Sequence, residues 1–198
     1  WLLKAQGEEP LCRGTEISAL DLGNPDALKW LIDMVGERLE RFGAECYRHD
    51  TSWGPLPNWR AHDTPDRQGI TENRYVCGFL TFYDELLRRR PGLLIDNCCR
   101  GGRRLDLETM RRSIPLWRSD YISGPVTHQC QTFGLASWIP MFGTGTGSND
   151  VYGFRSTMAP STVLYHDIRD DKLYYPLLER MCNEWREVLA PAYFGDYY

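Results

Sequence analysis

Residues 93–121 read LLIDNCCRGGRRLDLETMRRSIPLWRSDY, and their order decides the fold class. LLIDNC is an apolar strand, GGRR a turn, LDLETMRRS a short helix and PLWRSD a second strand. A strand, a helix and a strand in so short a stretch form a β/α repeat, the unit from which parallel sheets covered by helices are built.

The same alternation extends in both directions. Upstream, Asp26–Phe42 places Leu28, Leu31, Ile32, Val35 and Leu39 on one helical face. Asn24 is its expected N-cap, Pro25 lies in its first turn and Gly43 closes it. AECYRHD, residues 44–50, follows as a strand, and then a long loop from Thr51 to about Gly69, rich in Pro, Trp, Asp and Gly. Loops of that length inside a compact domain are usually functional. Glu72–Arg90 reads as a second helix whose three closing arginines suit the negative end of its dipole. Downstream, Gln129–Ser137 is helical, WIPMFG (138–143) and STVLYHD (161–167) are strands, and Tyr174–Leu189 is a closing amphipathic helix. The GTGTGS run at Gly143–Ser148 reads as a flexible loop. It lacks the flanks of a dinucleotide-binding turn, which disfavours a doubly wound sheet as the alternative to a (β/α) barrel.

About five strands are present, against eight in a closed barrel. No element that could start a fold is apparent before Asp26, and the first residue is Trp1. Residues 1–198 are therefore expected to be the C-terminal part of a (β/α)8 barrel, strands 4 to 8 with their helices, in an α/β protein whose N-terminal strands lie outside this chain.

With 42% hydrophobic and 25% charged residues the composition is that of a globular protein. A net charge of −4 gives no electrostatic draw toward nucleic acid or a membrane surface, and no apolar run is long enough to span a bilayer. Seven cysteines without a C-x-x-C pair give little support to a zinc site; they read as free thiols of a reducing compartment, which leans cytoplasmic. The four histidines share no ligand spacing, so neither a metal nor a cofactor is expected.

Two aspartates end strands two repeats apart: Asp50 closes AECYRHD and Asp120 closes PLWRSD. In a barrel, chemistry gathers at the C-terminal ends of strands, and a pair of carboxylates flanking one bond is what glycoside hydrolysis needs. An aspartate after a strand also caps the next helix, so the pattern alone leaves both readings open. His49, between Arg48 and Asp50, points to the opposite strand face from both. Trp53 and Trp59, in the loop after Asp50, are either platforms for a sugar ring or packing against the rim.

CYRHD, IDNCCRGGRRLD and LWRSDY, in that order and spacing, with ALDLGNPDALKWL before them and PLPNWRAHDTPDRQGITE between, resemble glycoside hydrolase family 36, the melibiase-like α-galactosidases. The resemblance runs from about Ala19 to Tyr121 and more loosely to the end. It implies that Asp50 is the nucleophile and Asp120 the general acid/base of a retaining enzyme. Arg48 takes the place of a basic residue, often lysine, that binds sugar hydroxyls. Cys98, Gly101 and Gly102 match the loop beside the sugar. The implied substrate is a terminal α-galactoside, with α-N-acetylgalactosaminidase activity or galactosyl transfer as variants on the same site. A reading of another class is a non-catalytic sugar-binding relative or an inactive fragment. The implied partners are the missing barrel strands and flanking β-domains, and further copies in a homo-oligomer. The isolated chain is expected to be inactive. Thr51 and Ser52 depart from the residues usual after the nucleophile, and Arg100 replaces a small residue, which leaves the identity of the sugar open.

Overall fold

The computed structural model describes residues 1–8, 10–51, 54–139, 141–193 and 195. It divides into two compact units, residues 1–100 with 104–113, and residues 101–103 with 114–198. Among the described residues there are three two-stranded sheets, one antiparallel and two parallel, and no closed barrel.

The first unit opens on an antiparallel pair, β1 (Leu2–Gln6) and β2 (Glu16–Leu20), with Leu2 opposite Leu20. An element therefore does precede the first predicted helix; its strands are five residues each, with no apolar run to announce them. Helix α1 (Pro25–Phe42) follows. The Asn24 side chain accepts from the Asp26 and Ala27 amides at 2.9 and 3.2 Å, and Gly43 ends the helix at φ 61°. Strand β3 (Cys46–Asp50) comes next.

The segment predicted as a loop contains a short helix, α2 (Leu56–His62), that follows Pro55. Its anchor is Asn58, wholly buried, whose amide donates to the Leu3 carbonyl at 2.8 Å and the Ile17 carbonyl at 3.1 Å. One side chain thereby bolts the helix to both strands of the hairpin, a long-range contact that local composition does not encode.

Helix α3 (Ile70–Arg89) packs on α1, and β4 (Leu94–Cys98) pairs in parallel with β3. Leu22, Ile32, Val35, Leu39, Phe79, Phe82, Tyr83, Leu86, Leu93 and Ile95 make the core between them. Of the closing arginines, Arg88 pairs with Glu85 of the same helix at 2.7 Å, while Arg89 reaches Asp33 of α1 at 2.8 Å and Arg90 donates to the Leu39 carbonyl at 2.8 Å. Helix α4 (Leu107–Met110), N-capped by Asp106, completes the unit.

His49 lies on the helix-facing side of β3, its ring 5.3 Å from that of Phe79 and 5.7 Å from that of Tyr83. Burial among these rings, with a smaller push from the charge of Arg104, lowers its pKa to about 4.

The second unit holds α5 (Pro125–Ala136), β5 (Gly143–Thr146), α6 (Val151–Thr157), β6 (Ser161–Leu164) and α7 (Tyr175–Glu184), the last continued by a π-helical turn over Trp185–Leu189. Its core includes Phe154, Met158, Leu173, Leu178 and Met181. Four expectations change here. GTGT is not a loop but the buried strand β5, paired in parallel with β6. Its glycines allow close approach: a β-carbon at Gly143 would lie 2.3 Å from the Leu116 carbonyl oxygen. WIPMFG is not a strand before Gly143, because the Trp138 and Ile139 amides still bond to Leu135 at the end of α5. PLWRSD is not a ladder strand: its backbone bends at Leu116, Trp117 and Asp120. Its backbone bonds to β5 at Gly143, whose amide donates to the Pro115 carbonyl at 2.8 Å and whose carbonyl accepts from Arg118 at 2.9 Å. Predicted strand 161–167 stops at Leu164.

Arg118 is buried and held by neutral acceptors: Gln131 Oε1 at 3.2 Å, Thr132 Oγ1 at 2.7 Å and the His128 carbonyl at 2.9 Å. Burial lowers its pKa to about 10, so it stays charged at neutral pH.

Two outcomes test this packing. Asn58→Ala is expected to cost about 1–3 kcal/mol and to speed amide exchange in β1 and β2, read by urea unfolding and hydrogen exchange. For His49, protonation favours the unfolded chain, where its pKa returns to 6.5, so stability is full above that value and falls as pH drops toward about 4. At pH 5 the loss is about 2 kcal/mol, and His49→Phe is expected to remove that part of the pH dependence of urea unfolding.

Candidate active site

Strand alternation sorts the residues of β3 and β4 onto two faces. The register pairs Arg48 with Asp96 and Asp50 with Cys98, so these four share one face, while Tyr47, His49, Ile95 and Asn97 share the other. On the first face Arg48 is forked. Its Nη2 donates to Asp50 Oδ2 at 3.2 Å, and its Nη1 donates to Asp96 Oδ2. The Arg48 and Asp50 side chains are 42% and 44% exposed, whereas that of Asp96 is only 6% exposed. Burial works against the charge on Arg48, but the hydrogen bond and charge of Asp96, helped by Cys98 and Asp50, raise its pKa. Cys98 itself is buried.

The chain leaving Asp50 is held in place. The Thr51 amide donates to the Cys98 carbonyl at 3.3 Å, and its hydroxyl accepts from Arg104 Nη2 at 3.0 Å. The Arg104 guanidinium lies 4.7 Å over the Phe79 ring. Trp53 lies outside the described residues. Trp59, in α2, is half-buried with its ring 5.2 Å from that of Tyr75, a contact that supports packing rather than an open platform.

In the second unit Asp120 is exposed, and its Oδ1 accepts from the Trp117 indole N–H at 3.0 Å. Gly101 bridges to Ser119, and a β-carbon on Gly101 would lie 2.5 Å from the Asp120 nitrogen and from the Ser119 α-carbon. With φ 72°, Gly101 meets two demands that only glycine satisfies without strain. Gly102, next to it, is half-buried. Arg100, just before, also adopts a left-handed φ of 45°.

Each carboxylate thus sits in a local frame. Asp50 lies beside a cation, and Asp120 beside a neutral donor. Among the described residues no group of three His, Cys, Asp or Glu side chains could hold a metal ion. His128 and His166 face the carbonyls of Ile122 and Ser148 at 3.1 and 3.0 Å. All seven cysteines are free thiols, and no helix among the described residues is long and apolar enough to cross a membrane.

Two residues of these frames escaped the sequence reading: Asp96 and Trp117. The signal for Asp96 was a lone acid in an apolar strand, which demands a buried partner.

The family model described as Melibiase matches residues 1–145. Alpha-galactosidase 2 of Pediococcus pentosaceus is 28% identical over 145 residues, which is 71% of this chain and 19% of that protein. Alpha-galactosidase Mel36A of Lactobacillus acidophilus is 23% identical over 120 residues, 61% of this chain and 16% of the relative. Among solved structures, the α-galactosidase of Lactobacillus brevis superposes with a TM-score of 0.76 at 19% identity, covering 96% of this chain and 28% of that one. A variant of the Geobacillus stearothermophilus α-galactosidase AgaA, in complex with 1-deoxygalactonojirimycin, gives 0.77 at 19% identity, over 98% and 29%. The chain spans less than a third of the length of each of these relatives and has the fold of the matching part. With the family model matched over most of its length, the chain belongs to the melibiase family, glycoside hydrolase family 36.

Proposed function

We propose that this chain carries both catalytic carboxylates of a retaining glycoside hydrolase acting on terminal α-galactosides. The observation that carries the reading is Asp50 at the C-terminal end of a parallel strand, held 3.2 Å from the Arg48 guanidinium, within a melibiase-family chain. Two of the related solved structures hold stachyose and raffinose, which supports a galactoside as the substrate class.

In this reading β3 and β4 are the fourth and fifth strands of a (β/α)8 barrel, and residues 1–198 form the C-terminal part of that barrel. The missing strands complete the sugar pocket, so the chain alone is inactive. Asp50 attacks the anomeric carbon while Asp120 protonates the departing glycosidic oxygen, which leaves galactose esterified to Asp50. Asp120, now ionised, takes a proton from water, and that water breaks the ester and restores the α configuration. This double displacement needs the two carboxyl groups about 5–5.5 Å apart in the assembled site. The family resemblance gives Arg48, Cys98, Gly101 and Gly102, with Trp53 and Trp59, the role of binding the sugar.

The test is made in the protein that joins this chain to the remaining strands. The first product of α-galactoside hydrolysis is expected to be the α anomer by NMR, and Asp50→Asn to abolish turnover. Asp120→Asn is expected to slow raffinose hydrolysis by about 10²–10⁴-fold but to spare the first step on an aryl galactoside whose leaving group needs no proton. A β-anomeric first product, or an active Asp50→Asn variant, overturns the assignment.

A further inference from the structure

We infer that Asp96 is a positioning residue: it grips one arm of the Arg48 guanidinium so that the other arm stays on Asp50. The inference rests on the hydrolase reading for its purpose, but the grip itself stands on geometry.

Arg48 and Asp96 are register partners in the parallel pair, and Asp50 follows Arg48 by two residues on the same face. The two arms of one planar group therefore reach two different carboxylates. They are unequal. The pair with Asp50 is half-exposed on both sides, and such a pair returns less than the rotamer freedom that an arginine loses when held. Left to itself it would open to solvent. The pair with Asp96 has one end 6% exposed, where an ionised carboxylate is costly without a cation. That arm is the one the fold enforces. Once Nη1 is fixed, the rigidity of the guanidinium fixes Nη2, and the contact with Asp50 follows at little further entropic cost. A lysine, with one ammonium on a flexible stem, could not transmit position in this way.

The expected signature is in the arginine side-chain NMR of the 198-residue chain. With both arms held, the four Nη protons of Arg48 give separate, slowly exchanging signals. Asp96→Asn collapses them to an average, whereas Asp50→Asn leaves the Nη1 pair distinct. Averaged signals in the unsubstituted chain overturn the inference before any variant is made. So do signals that Asp96→Asn leaves unchanged. If Asp96→Asn does not fold, Asp96→Glu keeps the charge and shifts the grip; it is expected to move the Nη1 signals without averaging them, and averaging counts against the assignment.

Kinetics supply an independent readout in the assembled enzyme. Asp96→Asn is expected to lower kcat about tenfold or more with KM within about threefold, and to have less than a third of that effect in an Arg48→Lys background. Equal effects in both backgrounds refute positioning through Arg48. Because the spectra need no substrate, held signals that Asp96→Asn releases support the inference even where no galactoside is turned over, a result that counts against the hydrolase reading alone.

Discussion

The parallel pairing of Cys46–Asp50 with Leu94–Cys98, in its observed register, is the constraint on which the first unit depends. Because side chains alternate, this one alignment gives the pair two characters. One face is aromatic and apolar, with Tyr47, His49 and Ile95 against α3, and the other is ionic, with Arg48, Asp50 and Asp96. A slip of β3 by one residue would turn Arg48 and Asp50 into the core and bring His49 to the side of Asp96. The hydrophobic effect on one face therefore enforces the electrostatics of the other. Ile95 and the α3 aromatics hold the register, and the register seats the cation between two acids.

Much of this could be read from the chain itself. Regular amphipathic stretches announced α1 and α3, since a long run of apolar positions at helical spacing has few other uses. The caps Asn24 and Gly43 marked the ends of α1 because capping is local chemistry. Strand alternation placed Arg48 and Asp50 together and His49 away from them. The order of the strand-end acids, read with the surrounding motifs, led to the family.

What escaped depends on contacts between residues far apart in sequence. The hairpin of β1 and β2 carries a weak alternating pattern, and α2 is anchored to it by the side chain of Asn58, which reaches across 55 residues to Leu3. Composition favoured a loop at Pro55–His62 and at Gly143–Thr146, because proline and glycine are more often turn residues than strand or helix residues. In β5 tertiary packing overrode that tendency, and backbone and rings press where side chains would have stood. Asp96 went unremarked for a related reason: a buried acid is meaningful only once its partner is known, and the partner lies 48 residues upstream.

The glycines of β5 bear on Asp120 in a way that concerns tolerance to change. A β-carbon at Gly145 would come within 2.5 Å of the Trp117 ring and 2.7 Å of the Tyr165 ring, two rings that themselves meet edge to face. The Trp117 indole is the donor that holds the Asp120 carboxylate. A hydrogen atom on a silent strand residue is thus the spacer that sets where an acid stands, and one added methyl there would be passed along the indole to the carboxylate. Sites of this kind are fragile at positions that carry no chemistry of their own, and drift in such a protein is limited as much by the smallest residues around the acid as by the acid itself.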